Sequence, residues 1–239
     1  RPAWWWTGLP PADSPGRQPD GRLTALPQPR LDTCSRESVL AVLDNGWTLT
    51  ELLFAGLQGE AAFYRPPYHH LRHPMLFYYC HPAALYVNKL RVAGLIDNPI
   101  NPYFERIFET GVDEMRWDDM SKNEMLWPKD GMLGPCFAEA DRSRQQVYTT
   151  VRQLIETHPD LAAGHAPITM DHPLWALFLG FEHERIHLET SSVLIRELPI
   201  DCVQRPPELP ALHPSAGTPS PFPPTAGKDY SQQRFINLP

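Results

Sequence analysis

The stretch Pro173–Leu198, PLWALFLGFEHERIHLETSSVLIREL, decides how the rest of the chain is read. Apolar residues run from Leu174, Trp175, Leu177 and Phe178 to Val193, Leu194 and Ile195 with no proline after Pro173, which predicts a long helix. Pro173 suits a first turn, where its missing N–H costs nothing, and Asp171 is the expected N-cap two residues earlier. His183 and His187 lie four residues apart in this helix, so their imidazoles share one face about one turn apart. Because the helix is so apolar, part of its polar face must turn inward and find partners there, and a shared metal ion is one way to satisfy two buried imidazoles. The residues His183-Glu184-Arg185-Ile186-His187 also spell HExxH, the pattern of two metal ligands with a glutamate between them; the pattern is short and recurs by chance.

Outward from this helix, three more helical stretches are expected. Ser35–Leu57 carries Val39, Leu40, Val42, Leu43, Trp47, Leu49, Leu52 and Leu53 at helical spacing, with Asn45-Gly46 as a point of interruption. A second runs from Pro74 to about Ala93; Pro82, which lacks an N–H for the ladder, is expected to kink it or to restart it just after His81. Phe137–Thr157 is polar on one face and apolar on the other through Val147, Val151, Leu154 and Ile155. Residues 97–134 read as mostly irregular, with short turns around Tyr103–Phe108 and Ser121–Trp127. Residues 1–34 hold Trp4, Trp5 and Trp6 followed by a proline-studded stretch, and are expected to be an irregular extension. From Pro199 onward prolines crowd a segment with few apolar anchors, so residues 199–239 are expected to be a linker or a lid. The reading is an all-α fold: a four-helix bundle over residues 35–198 between long irregular extensions, an architecture in which metal sites are built from side chains on facing helices.

Composition narrows the function. The chain has 239 residues, 42% of them hydrophobic and 21% charged, enough for a substantial core. Its formal net charge of -7 argues against nucleic acid or an anionic membrane as partner, since either requires a basic stripe. Cys34, Cys80, Cys136 and Cys202 are widely spaced, with neither a zinc-knuckle nor a disulfide pattern, so a reducing, cytoplasmic setting is expected. No apolar run is long enough to span a membrane, and no secretory signal opens the chain at Arg1, which is read as a piece of a longer protein.

A third metal ligand must come from another helix. His81, within Phe77-Tyr78-Tyr79-Cys80-His81-Pro82-Ala83-Ala84-Leu85, is the lone histidine of that apolar stretch; its bland alternative is a core histidine bonded to a backbone carbonyl. His69, His70 and His73 lie in or beside a proline-bounded loop and are candidates for supporting or gating the site, with a plain surface role as the alternative. Cys80 points about 100° away from its neighbour His81 and is read as packing. Glu184 and Glu189 flank the ligand pair, and either can orient an imidazole through its free N–H.

Several segments together resemble one family. Trp5-Trp6-Thr7-Gly8, Asp44-Asn45-Gly46-Trp47-Thr48-Leu49-Thr50-Glu51, Phe63-Tyr64-Arg65-Pro66-Pro67-Tyr68-His69-His70-Leu71-Arg72-His73-Pro74, Tyr86-Val87-Asn88-Lys89-Leu90 and Gly180-Phe181-Glu182-His183-Glu184-Arg185-Ile186-His187-Leu188-Glu189-Thr190 are similar to the N-terminal part of the 5-histidylcysteine sulfoxide synthases of ovothiol biosynthesis. Ergothioneine-pathway sulfoxide synthases are more distant relatives of that family. The resemblance covers most of residues 4–199. It implies a DinB-like four-helix bundle whose three histidines, here His81, His183 and His187, bind non-haem iron(II); Glu184 and His73 are read, from their positions alone, as supporting them. It further implies oxygen-dependent coupling of L-cysteine sulfur to C5 of L-histidine, with the sulfur oxidised to the sulfoxide. The family's catalytic tyrosine and most substrate contacts belong to a formylglycine-generating-enzyme-like domain toward which residues 199–239 are expected to lead, so the chain alone is expected to bind metal and turn over weakly. The rival readings are a DinB-like thiol transferase using another divalent ion, an HExxH zinc hydrolase, and a non-enzymatic helical interaction module.

Overall fold

The computed structural model describes residues 5–68, 72–109 and 136–210. Among them, six α-helices follow one another: α1 Arg36–Phe54, α2 Ala61–Tyr64, α3 Met75–Val92, α4 Pro102–Ile107, α5 Phe137–Thr157 and α6 Trp175–Ile195. The described residues form no sheet, only two isolated bridges, Arg17 with Leu23 and Leu57 with Val203. The all-α expectation therefore holds. Ser121–Trp127 lies outside the described residues, whereas the turn expected at Tyr103–Phe108 is the short helix α4 and its cap.

α1 begins where the sequence says it should. Ser35 accepts from the Ser38 N–H at 3.1 Å, and Ser38 Oγ accepts from the Ser35 N–H at 3.0 Å, a reciprocal capping box. Asn45-Gly46 does not interrupt it, because Asn45 spends its side chain outside the helix. Its Nδ2 donates to the carbonyls of Pro15 at 2.7 Å and Thr24 at 2.9 Å, and its Oδ1 accepts from the Leu26 N–H at 2.9 Å. Thr48 Oγ1 likewise donates to the Leu9 carbonyl at 2.9 Å. The N-terminal segment is thus irregular, as expected, yet it belongs to the interior: Trp5, Thr7, Ser14 and Leu23 are all buried. Irregular backbone is tolerated there because side chains of α1 take up its polar groups.

Two helices differ from expectation, α6 at its start and α3 in its middle. α6 starts at Trp175 rather than Pro173, and Asp171 does not cap it. A turn intervenes, in which His172 Nδ1 accepts from the Leu174 N–H at 3.1 Å and the His172 carbonyl accepts from the Trp175 N–H at 2.8 Å. α3 runs unbroken from Met75 to Val92 with Pro82 inside it. Nearly every residue from Met75 to Val87 is buried, so packing on all sides holds the helix together across the bond that proline removes.

α1 and α3 each pack against both α5 and α6. Trp47, Tyr86, Val147, Val151, Leu177 and Phe181 fill one core cluster; Phe54, Phe63, Tyr79, Phe104 and Phe108 belong to a second. Burying each such side chain contributes roughly 1.5–3 kcal/mol. Gly180 of α6 lies flush on the Tyr86 ring of α3, and any Cβ there would overlap the ring, so glycine sets how near the two histidine-bearing helices come. Residues 200–208, expected as linker, lie against the turn after α1 and the N-terminal segment. The Gln204 N–H donates to the Gly56 carbonyl at 2.7 Å, and the Leu23 N–H to that of Glu208 at 2.8 Å. No helix among the described residues is long and apolar enough to cross a membrane.

Candidate metal centre

His81 enters the interior from the middle of α3, where it is 3% exposed. Its Nδ1 lies 2.6 Å from the carbonyl oxygen of Phe108, the residue that caps α4. A carbonyl can only accept, so Nδ1 carries the proton and donates it, and the Nε2 lone pair is left facing the opposite way. There it meets His183 Nε2 at 3.2 Å. His187, one turn further along α6, completes the group. Its ring centroid is 4.4 Å from that of His81 and 4.3 Å from that of His183, and one ligand nitrogen from each residue lies within 4.8 Å of the others. His81 is buried, while His183 and His187 are half-buried at the rim, so the cluster has an open side.

Three observations fit a metal ion. Metal–nitrogen bonds of about 2.1 Å at tetrahedral to octahedral angles place ligand nitrogens roughly 3.0–3.4 Å apart, and the two Nε2 atoms are already at 3.2 Å. All three imidazoles are held neutral. Burial lowers the His81 pKa to about 4 against the opposing pull of the Phe108 carbonyl; burial, then His81, lowers that of His187 to about 3; burial, His81 and His187 lower that of His183 further still. A neutral imidazole is the ligating form. Finally, His183 and His187 are only half-buried, so the side of the cluster they form is open enough for an ion to enter and to take further ligands.

The supporting residues fall differently from the sequence expectation. Glu184 does not orient an imidazole: the side chain is buried, and its Oε1 accepts from Thr50 Oγ1 of α1 at 2.5 Å. Glu189 is exposed. His73 is buried and stacks on Phe77 at 4.1 Å, and Phe77 stacks on His81 at 5.1 Å, so His73 stands one aromatic ring away from the ligand. Burial, then His81 and Arg72, lowers the His73 pKa to about 4. Cys80 is buried, and burial keeps its thiol protonated, in line with a packing role. His69 and His70 lie outside the described residues. The group that does orient His81, the Phe108 carbonyl, has no side-chain signature and was invisible in the sequence. A cleft of about 870 Å³, lined in part by Trp5, Trp6, Phe63, Phe137 and Pro206, shares no residue with the histidine cluster.

No protein-family model matches the chain, and no curated protein is significantly similar to it. The described residues therefore define a helical protein with a three-histidine site able to hold a metal ion, and the chemistry of that site has to be argued from its residues.

Proposed function

We propose that this chain is the iron(II)-binding, DinB-like helical domain of an oxygen-dependent sulfoxide synthase that joins the sulfur of L-cysteine to C5 of L-histidine, as in ovothiol biosynthesis. One observation carries the reading: three imidazoles from two helices bring one nitrogen each within 4.8 Å of the others, the His81–His183 pair at 3.2 Å, on a rim with an open side. Three nitrogen ligands on one side leave up to three positions for a thiolate, an imidazole and dioxygen, and bound iron(II) would supply those positions together with the redox capacity to oxidise sulfur. The chain's own contribution is geometric. The Phe108 carbonyl fixes the tautomer and orientation of His81, the helical turn fixes His183 against His187, and Phe77 with His73 behind it keeps water from the buried face of His81. Holding two amino acids beside each other would convert their encounter into an effectively intramolecular one.

The placement of Glu184 supports this reading over an HExxH hydrolase, which needs that carboxylate at the metal-bound water. A DinB-like thiol transferase shares the site but not the oxidation. Anaerobic reconstitution with iron(II) and elemental analysis of the chain and of His81→Ala, His183→Ala and His187→Ala tests the site; one equivalent in the parent, lost in each variant, is expected. Oxygen uptake dependent on both cysteine and histidine tests the reaction, expected to be slow for the chain alone because the resemblance assigns the catalytic tyrosine to a further domain. Metal-dependent thiol transfer without oxygen uptake would replace the proposal with its rival.

A further inference from the structure

One layer beneath the histidines lies a second polar cluster that the metal chemistry does not use. Arg144 of α5 is 1% exposed. Its guanidinium lies 4.3 Å from the ring centroid of Trp47 and 4.4 Å from that of Tyr79. Its Nη1 donates to the Tyr79 carbonyl of α3 at 2.5 Å, and its Nη2 is 3.8 Å from Glu51 Oε1 of α1. Glu51 in turn accepts from the Thr7 N–H at 3.1 Å and from Trp47 Nε1 at 3.2 Å. Glu184 of α6 is also buried, and its carboxyl is held by Thr50 of α1, one residue before Glu51. Arg144 of α5 is thus tied to α1 and α3, and α6 is tied to the same stretch of α1 through Glu184 and Thr50.

The positions of these residues along the chain tie the cluster to the histidines. Tyr79 precedes His81 by two residues, and Glu184 directly follows His183. Neighbouring helical side chains point about 100° apart, so the rotation of α6 that seats Glu184 on Thr50 is the rotation that presents His183 to His81. Turning α6 would strip a fully buried carboxylate of its partner, and sliding α3 would break the Arg144 bond to its backbone.

We propose that Arg144 and Glu184, with Thr50, are positioning residues for the metal centre: the buried charge cluster fixes the rotation of α6 and the height of α3, and so holds the imidazole nitrogens of His81 and His183 at the spacing one ion requires. The inference rests on the three-histidine metal site proposed above and not on the reaction assigned to it.

The test is titration of the metal-free chain with cobalt(II), read by its visible ligand-field bands, which report coordination geometry independently of activity. Glu184→Ala and Arg144→Met are expected to weaken cobalt(II) binding by tenfold to a hundredfold and to shift the bands, the range seen when partners of metal ligands are removed. Glu184→Gln, which keeps an acceptor for Thr50, is expected to recover binding to within about threefold of the parent together with its spectrum. A purely structural role would lower thermal stability and leave the affinity and spectrum of the folded protein unchanged, and that result would overturn the inference. Should both larger substitutions yield no folded protein, Thr50→Val decides: weakening with a band shift supports the inference, and unchanged binding overturns it. A parent chain that binds no cobalt(II) would instead remove the metal site itself, a different failure from a parent that binds and variants that bind equally well.

Discussion

Two polar clusters lie side by side within the same four helices, and they handle burial in opposite ways. Around Arg144 the cation stays: its guanidinium faces the Trp47 and Tyr79 rings and lies near the Glu51 carboxyl, which burial raises to about 7, while Glu184 is held by Thr50. Around His81 the charge is given up, because burial drives the three imidazoles to their neutral forms and leaves the Nδ1 atoms of His183 and His187 without partners. Both clusters keep buried polar atoms without a hydrogen-bond partner, Nε and Nη2 of Arg144 among them, so what separates the two is charge: the guanidinium stays ionised among aromatic rings and carboxyls, whereas the imidazoles are left in the neutral form that ligates a metal.

Measurements that set stability against metal content can break this contrast. The largest effect belongs to the histidines: His183→Ala is expected to lower metal affinity at least a hundredfold, yet to change the urea stability of the metal-free chain by less than about 1.5 kcal/mol, since the half-buried ring gives up a single contact, to His81, and a buried Nδ1 that has no partner. Arg144→Ala should do the reverse in denaturant, costing about 3–5 kcal/mol by leaving two buried carboxylates without their cation. If His183→Ala proved the more destabilising of the two in the absence of metal, the distinction between the clusters would be lost.

Gly180→Ala probes the contact that brings the two histidine-bearing helices together. The buried Tyr86 ring has little room to yield to a new methyl group, and a loss of about 1–3 kcal/mol in denaturant unfolding is expected. Wild-type stability in that variant would mean that α3 and α6 have slack between them.

The charged cluster also predicts a pH dependence. Burial raises the Glu51 carboxyl to about 7, against the lowering pull of Arg144 and of its bonds to Thr7. A carboxyl whose folded pKa lies above its unfolded value contributes most below the unfolded pKa, near 4.5, and loses that contribution as pH rises through about 7. Glu51→Gln should therefore match the parent in stability near pH 4.5 and exceed it by an amount that grows to a few kcal/mol by pH 8. Parallel stability curves for the two proteins over this range would show that Arg144 compensates Glu51 fully. The smallest effect is expected at the exposed Arg30–Asp32 pair, 2.8 Å apart at the surface, where Arg30→Ala should leave the melting midpoint unchanged.

Most of the helical framework was legible from residue periodicity. Phe137–Thr157 has the expected bounds, and the first helical stretch, expected over Ser35–Leu57, is α1 from Arg36 to Phe54. Pro82 misled because local chemistry forbids a ladder bond there, while burial on every side of α3 outweighs the loss. The N-terminal segment misled for a related reason. Its prolines exclude regular structure, but Trp5 and Leu23 still find the interior, and Asn45 and Thr48, ordinary helix residues by sequence, satisfy its backbone. Arg144 stands three residues before Val147 and seven before Val151, on the apolar stripe of α5, so its position was legible, whereas its partners on α1 and α3 were not.

By itself the sequence determined the helical class and the spacing of His183 and His187, because both follow from the period of a single helix and need no knowledge of its neighbours. The tertiary structure alone decided that His81 meets that pair, that the Phe108 carbonyl fixes its tautomer, and that Glu184 turns to Thr50 rather than to an imidazole. Those outcomes depend on how separate helices rotate and seat against one another. That arrangement is set by the summed packing of the whole interior, which no local stretch of residues encodes.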